Sequence, residues 1–181
     1  VATGGSEYHP EEYLYGKDRQ VITQRELEMK LFAGEIDLKR LKSVVMIQCV
    51  GSRDKDRPYC SRICCSQALK NALRLKEANP ETEVAILHRD IMSYGFKEEY
   101  YQEARAKGVI FIRYDPEDKP EVQHIQAGPH NHIHDAYSGF GDPLTWPSGP
   151  PLSGHRRGHI LCHAREQMGR ADTSISQGLG C

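Results

Sequence analysis

The sequence of 181 residues has almost no net charge and no long apolar run. Its 24 Lys and Arg side chains nearly balance 25 Asp and Glu side chains, so no overall field attracts nucleic acid or an anionic membrane. No apolar run approaches the roughly 20 residues that a membrane span needs, and the first residues lack the pattern of a signal peptide. We therefore expect a cytoplasmic protein without a membrane span and without a nucleic-acid partner.

Lysine is absent beyond Lys119, and this absence divides the chain. Seven of the nine histidines and six of the ten prolines lie at or after Pro120. Before that point apolar runs alternate with amphipathic stretches, as in an α/β domain, whereas the later residues keep neither period for long. We predict one domain over residues 41–120 and an irregular or disordered tail over residues 121–181. The loss of lysine also fits a tail that is not native to the rest of the protein.

A short helix is predicted before the first long strand. Thr23 followed by Glu26 has the spacing of a capping box, in which each side chain binds the other residue's backbone N–H. Leu27, Leu31 and Phe32 place apolar groups on one helical face, and a glycine follows them. These features predict an amphipathic helix that ends at this glycine.

Strands and helices are then predicted in the order β-α-β-α-β. The unbroken apolar run at residues 44–47 is typical of a parallel strand covered on both faces. The other predicted elements are a helix over residues 66–78, a strand over 84–87, a helix over 98–107 and a strand over 109–114. Right-handed crossovers make this half of a Rossmann-like, doubly wound parallel sheet, whose functional crevice lies beyond the carboxyl ends of the strands. Cys49 lies at that position.

Four of the six cysteines lie around the first crossover, and no Cys-x-x-Cys motif occurs. Ten residues separate Cys49 from Cys60, three separate Cys60 from Cys64, and Cys65 follows directly. Because the cytosol keeps thiols reduced, metal or redox chemistry explains them better than structural disulfides. A nucleotide-binding crossover carries glycines where this one carries cysteines, and the N-terminus of the next helix favours thiolates. The pattern favours an iron-sulfur cluster in the place of the nucleotide phosphates.

Three other interpretations of the cysteines stay open on spacing alone. Zinc accepts four thiolates, but its structural sites usually have cysteine pairs two to four residues apart. A redox disulfide is a second alternative, although the adjacent Cys64 and Cys65 would make a strained pair. Buried, inert thiols are the third. Arg53 and Arg62 flank the loop, where they could add positive charge to a cluster, but ion pairs with nearby aspartates are the simpler expectation.

Longer motifs resemble the central region of the A subunit of heterodisulfide reductase. They are IQCVGSRD at residues 47–54, YCSRICC at 59–65 and KNAL at 70–73, continued by ILHRDI at 86–91, YGFKEEYY at 94–101 and VIFIRY at 109–114. The resemblance covers roughly the first 120 residues. It implies a flavoprotein with a thioredoxin-reductase-like body that binds FAD and passes electrons through iron-sulfur clusters to partner subunits. For this chain it implies that Cys49, Cys60, Cys64 and Cys65 ligate a 4Fe-4S cluster.

The first five residues, VATGG, resemble a segment of two-domain flavoproteins where the backbone passes close to FAD. The resemblance implies that Thr3, Gly4 and Gly5 contact FAD, and glycine permits such an approach; a tight turn after a strand is the alternative. Residues 1–40 are then the end of an FAD-binding domain and its connection. A chain that begins at Val1 is expected to be a fragment.

The resemblance implies an electron-transfer oxidoreductase that relays electrons between flavin and iron-sulfur centres. The electrons would come from a donor protein and would serve heterodisulfide reduction by partner subunits. A metal-free thiol-disulfide oxidoreductase and a zinc-stabilised interaction domain are the alternatives to test.

Overall fold

The computed structural model describes residues 5–122, 158–163 and 166–168. The described strands are β1 (Gly5–Glu7), β2 (Val21–Thr23), β3 (Leu41–Ile47), β4 (Glu83–His88), β5 (Ile110–Arg113), β6 (Gly158–His163) and β7 (Glu166–Met168). The described helices are α1 (Gln24–Ala33), α2 (Ile63–Ala78) and α3 (Glu98–Ala106), the last preceded by a 3-10 turn at Gly95–Lys97.

The main sheet has five parallel strands in the order β2-β6-β3-β4-β5. The strands β3 and β4 pair from Ser43 opposite Glu83 to Ile47 opposite Leu87, and the helix α2 connects them. The helix α3 connects β4 to β5 in the same way. The predicted α/β class, a partial Rossmann-like parallel sheet, is confirmed.

Different parts of the chain pack on the two faces of the sheet. Val44 and Met46 of β3 pack on the side where all three helices lie, with Leu27 of α1, Leu69 of α2 and Ala104 of α3. Alternate residues of β3 and β4 face the other side, where partly buried loop residues pack against them: Tyr8, Tyr13 and Val122. Within the described ranges, helices therefore cover one face of the sheet, which is half of a doubly wound arrangement.

The helix α1 begins and ends as predicted. The Oγ1 atom of Thr23 accepts from the backbone N–H of Glu26 at 3.2 Å, and the Glu26 carboxylate accepts from the backbone N–H of Thr23 at 2.6 Å. Gly34 ends the helix with φ of 70°. The predicted apolar face was wrong at one position: Leu27 and Leu31 are buried, but Phe32 is 84% exposed. The turn of 100° per residue carries Phe32 away from the sheet that buries the two leucines.

Two strands lie inside the segment 121–181, for which irregular chain is predicted. The strand β6 lies between β2 and β3, and β7 pairs with β1 in an antiparallel ladder. Short apolar runs such as His-Ile-Leu-Cys-His can join a sheet despite irregular flanks, and the irregular tail over residues 121–181 stays a prediction. The remaining residues from 123 onward lie outside the described ranges, and the domain boundaries near residues 40 and 120 stay predictions.

The described helices include none with both the length and the apolar character needed to cross a bilayer.

Candidate metal centre

The four predicted ligand residues come from two places at one end of the sheet. Cys49 lies two residues beyond the carboxyl end of β3, and Cys60 lies on the loop before α2. Cys64 and Cys65 lie in the first turn of α2, because this helix begins at Ile63 and not near residue 66 as predicted. The earlier start follows from Arg62, which adopts a left-handed conformation as the N-cap residue. The two adjacent thiols are therefore helical residues and not loop residues.

All four cysteines are free thiols, and their charges act on one another. Cys49, Cys64 and Cys65 are buried, whereas Cys60 is partly exposed. Negative charge on Cys49, Cys60 and Cys65 disfavours ionisation of Cys64, so the four sulfur atoms share one electrostatic environment. The four cysteines that the sequence singles out therefore lie at one end of the sheet and influence one another electrostatically.

The two adjacent thiols differ strongly in acidity. The thiol of Cys64 donates a hydrogen bond to Cys65, and this bond raises the pKa of Cys64, which burial raises further. The same bond lowers the pKa of Cys65 to about 7, with further help from the backbone N–H of Met92 and the charge of Arg53. Burial is the main reason that the pKa of Cys49 is raised. Cys65 is thus the thiol that ionises first in this pair.

Backbone N–H groups point at three of the sulfur atoms. The N–H of Arg62 lies 3.4 Å from the Sγ atom of Cys60. The backbone of Arg89 donates to Cys49, and the backbone of Met92 donates to Cys65. Hydrogen bonds of this kind favour the thiolate over the thiol and are one of the means by which proteins tune iron-sulfur clusters.

An ion pair that the sequence did not predict closes one side of the cysteine crevice. The Arg53 guanidinium lies 2.7 Å from the carboxylate of Asp90, which follows β4. The expected pairing of Arg53 with an aspartate of its own loop was wrong. The charge of Arg53 also favours ionised Cys65, and the guanidinium of Arg89 donates to the carbonyl of Arg53 at 2.7 Å. These contacts tie the cysteine loop to the end of β4.

The ends of three neighbouring strands are joined by hydrogen bonds beside the cysteines. The N–H of Gln48 donates to the carbonyl of Leu87 at 2.8 Å, and the N–H of Tyr114 donates to the carbonyl of His88 at 2.9 Å. The hydroxyl of Tyr114 donates to the carbonyl of Gln48 at 2.5 Å. Cys49 therefore follows a residue whose backbone is held at both its N–H and its carbonyl.

The cysteine loop contains several residues in the left-handed conformation. Cys49, Arg53 and Arg62 have φ of 64°, 57° and 61°, a region that non-glycine residues seldom adopt. Such conformations cluster at functional sites, where surrounding contacts hold them in place. In this loop the surrounding contacts are the ion pair of Arg53 and the bond from Arg62 to Cys60.

Gly51 fixes how this loop packs, because its backbone lies directly against the ring of Tyr8. A Cβ atom at Gly51 would be 2.5 Å from two ring atoms of Tyr8, and φ is +61°. We expect Gly51→Ala to lower the free energy of unfolding by about 2–4 kcal/mol, from the steric clash and the left-handed backbone together. Gly16→Ala is the control, since Gly16 has φ of +75° with open space around it, and about 1–2 kcal/mol is expected. Urea unfolding measures both; equal losses would contradict the packing role.

Buried polar groups without partners lie on the segments around the thiols. Among the described residues, both side-chain amide atoms of Gln48 lack a hydrogen-bond partner, as do the hydroxyls of Ser66 and Ser93 and the Nδ1 atom of His88. Gln48 is adjacent to Cys49, and Ser66 is adjacent to Cys65. Buried polar groups are nearly always bonded in folded proteins, so these groups are able to bond to a further polar group.

No three His, Cys, Asp or Glu side chains in the described part of the chain converge closely enough to hold a single metal ion. A tetrahedral zinc site needs its sulfur atoms about 2.3 Å from one point. An iron-sulfur cluster spreads its cysteine ligands over several iron atoms. The two kinds of centre therefore require different separations of the four thiols.

A cavity of about 230 Å³ opens beside the first turn of α2. Its lining residues are Ser61, Arg62, Ile63, Met92, Tyr94 and Lys97. The guanidinium of Arg62 donates to the hydroxyl of Tyr94, which is 60% exposed. Met92 also packs against Cys64 and Cys65, so this one side chain contacts both the cavity and the thiols.

The residues predicted to contact FAD lie at the edge of the described chain. Thr3 and Gly4 lie outside the described residues. Gly5 is the first residue of β1, where its backbone pairs with Met168. Their role toward FAD stays a prediction.

The chain matches several curated relatives over much of its length. It is 42% identical over 132 residues to the A subunit of the H(2):CoB-CoM heterodisulfide,ferredoxin reductase of Methanothermobacter thermautotrophicus, covering 64% of this chain and 20% of the relative. It is 47% identical over 131 residues to the iron-sulfur A subunit of the CoB-CoM heterodisulfide reductase of Methanocaldococcus jannaschii, with the same coverage of 64% and 20%. Over this segment the chain is similar to the A subunits of heterodisulfide reductases. The resemblance seen in its motifs is thus confirmed.

A third relative in the family of heterodisulfide reductase A subunits extends the match slightly. This protein, the A subunit of the H(2)/formate:CoB-CoM heterodisulfide,ferredoxin reductase of Methanococcus maripaludis, is 43% identical over 144 residues, covering 69% of this chain and 22% of the relative. The chain therefore spans about a fifth of the length of the curated relatives it matches. No protein-family model matches the sequence.

Proposed function

We propose that Cys49, Cys60, Cys64 and Cys65 hold an iron-sulfur cluster of the 4Fe-4S type, through which this chain transfers electrons. The observation that carries the proposal is the group of four free thiols, which act on one another at the carboxyl end of a Rossmann-like sheet. Four cysteines are the usual ligand set of such a cluster. The jannaschii relative is itself named as an iron-sulfur protein.

The surroundings of the thiols suit an anionic cluster. Cys64 and Cys65 lie in the first turn of α2, where unpaired N–H groups and the positive end of the helix dipole favour negative charge. Arg53 adds a full positive charge, and the backbone N–H groups of Arg62, Arg89 and Met92 donate to three of the sulfurs. When bound, the cluster would accept and release one electron at a time. The protein residues hold it, neutralise its charge and keep three of the four thiolates away from solvent.

The whole protein, on this proposal, contributes to the reduction of a heterodisulfide in the cytoplasm. The names of the relatives specify the disulfide of CoB and CoM and, for two of the three, ferredoxin. Reducing a disulfide breaks one S–S bond and consumes two electrons and two protons to give two thiols. The chain would pass these electrons singly between a donor protein and partner subunits that bind the disulfide. FAD, approached by Thr3, Gly4 and Gly5, would exchange electrons with the cluster.

A metal-free thiol-disulfide reaction is the second candidate, and one observation favours it. The pKa of Cys65, lowered to about 7, gives a thiolate near neutral pH directly beside the Cys64 thiol. A thiolate of this kind is the nucleophile of disulfide exchange. The two adjacent cysteines would then alternate between a dithiol and a strained disulfide.

Anoxic reconstitution of the full chain with iron and sulfide tests the proposal. We expect about four iron and four sulfide per chain, together with broad visible absorption that dithionite bleaches. Chains given zinc in place of iron serve as the comparison for a zinc-stabilised domain. A chain that takes up no iron and sulfide would contradict the proposal. Loss of two thiols under air without any metal would establish the metal-free alternative, and stoichiometric zinc without reversible redox change would establish the zinc alternative.

A further inference from the structure

Gln48 is a fully buried amide whose side chain has no partner in the described part of the protein. Its exposed fraction is 0%, and neither Nε2 nor Oε1 makes a hydrogen bond there. The backbone of the same residue is fully bonded, through Leu87 and Tyr114. An unsatisfied buried polar group costs roughly 1–3 kcal/mol, so a buried amide with two atoms unbonded among the described residues is able to take a further partner.

The strand pattern places this amide on the face that α2 covers. Side chains alternate between the two faces of a strand. Met46 packs with the helices and Ile47 packs on the opposite face, so Gln48 returns to the helical side. The N–H of Gln48 still bonds to the neighbouring strand, which keeps the alternation to this residue.

Gln48 also lies at the end of the sheet where α2 begins. The first turn of α2 carries Cys64 and Cys65, and Cys49 is the next residue in the chain. Strand alternation and chain order therefore place the amide on the helical face of the sheet, at the end where α2 and two of the four thiols begin. The other unbonded groups named around the thiols are the hydroxyls of Ser66 and Ser93 and the Nδ1 atom of His88, whereas the Gln48 amide presents a donor in a fixed plane.

We propose that the Nε2 atom of Gln48 donates a hydrogen bond to a sulfur atom of the cluster and thereby raises its reduction potential. This inference rests on the proposed function. Reduction adds negative charge to the cluster, and an N–H donor stabilises the more negative state more than the less negative one. The amide stays uncharged, so it adds this stabilisation without a buried charge of its own.

A redox titration of the reconstituted full chain measures the effect. Gln48→Leu keeps a side chain of similar size and removes the donor. We expect it to shift the equilibrium between reduced and oxidised cluster about tenfold toward the oxidised form, which is about 59 mV lower for a one-electron couple. Gln48→Glu replaces the donor by a carboxylate of the same shape, and we expect a potential at least as low. An unchanged potential in both variants would contradict the inference.

Pulsed electron paramagnetic resonance gives a second readout that does not depend on activity. In a chain whose glutamine side chains carry nitrogen-15, we expect coupling between one amide nitrogen and the reduced, paramagnetic cluster. The coupling disappears in Gln48→Leu if the donor is Gln48. Coupling that persists in this variant, or no coupling in the wild-type chain, overturns the inference even if a variant folds poorly.

Gln24→Leu is the matched control for loss of a buried amide. Gln24 is also 0% exposed, but it lies in α1 and its Oε1 atom accepts from Asn71 at 2.8 Å. We expect this variant to be less stable and to keep the wild-type potential. If the wild-type chain assembles no cluster, the proposed function fails and this inference fails with it. If a cluster assembles and its reduction potential is the same in the Gln48 variants as in the wild-type chain, this inference alone fails.

Discussion

We expect Cys64→Ala to prevent cluster assembly in anoxic reconstitution. Iron should be held at least about 100-fold more weakly than by the wild-type chain. Loss of residues that only orient a ligand already costs about 10–100-fold in metal affinity, so loss of a ligand costs more. Cys64 is buried in the first turn of α2 and interacts with the other three thiols. Water cannot readily take its place there. The measurement is iron and sulfide content after removal of excess reagents, with the visible spectrum as a second readout.

Cys60 provides a graded comparison with Cys64. Its side chain is partly exposed and belongs to the loop before α2. Cys60→Ala leaves a position that water or an added thiol can reach, so we expect an unstable cluster that added thiol partly rescues. The buried Cys64 position should not be rescued. Equal behaviour of the two variants would argue that burial does not control access to the site.

Cys162→Ala is the control for loss of a thiol as such. Cys162 matches none of the four predicted ligands, and we expect this variant to retain iron, sulfide and spectrum. A cluster that survives Cys64→Ala but disappears in Cys162→Ala would contradict the ligand set. A cluster that survives every single substitution would indicate iron bound without specific ligands.

Local sequence patterns predicted the helix α1 and the central strand β3 well. The capping box of α1 involves residues three positions apart, and its two hydrogen bonds are both present. The buried run at residues 44–47 became part of β3, and the carboxyl end of this strand is where Cys49 lies. These features depend on neighbours in the sequence, and therefore a single sequence contains the information needed to find them.

The remaining parts of the site depend on contacts that sequence patterns do not encode. The ion pair between Arg53 and Asp90 joins residues 37 positions apart, whereas the sequence offered nearer aspartates. The start of α2 at Ile63 depends on the left-handed conformation of Arg62. A glycine would mark such a conformation in the sequence, but this position is an arginine. Gln48 looks like an ordinary polar residue at a strand end. Its complete burial becomes apparent only in the folded structure.

The same dependence on packing predicts that a substitution of a residue that is not a ligand will disturb the site. Leu69 of α2 is 1% exposed and packs with β3 in the core cluster. It lies four residues after Cys65, so both side chains share the buried face of the helix. We expect Leu69→Ala to lower the free energy of unfolding by about 2–5 kcal/mol, from lost burial and the cavity that remains.

Urea unfolding of the reduced chain without added iron isolates this loss from any effect of the cluster. Phe32→Ala is the control: it removes a larger side chain that is 84% exposed in α1, and a change within about 0.5 kcal/mol is expected. Since α2 carries Cys64 and Cys65, a helix that packs loosely on the sheet also holds these thiols less firmly against Cys49. Leu69→Ala should therefore lose iron faster than wild type, and Phe32→Ala should not. A destabilised Leu69→Ala chain that retains iron as wild type does would show that the loop, and not the packing of α2, positions the four thiols.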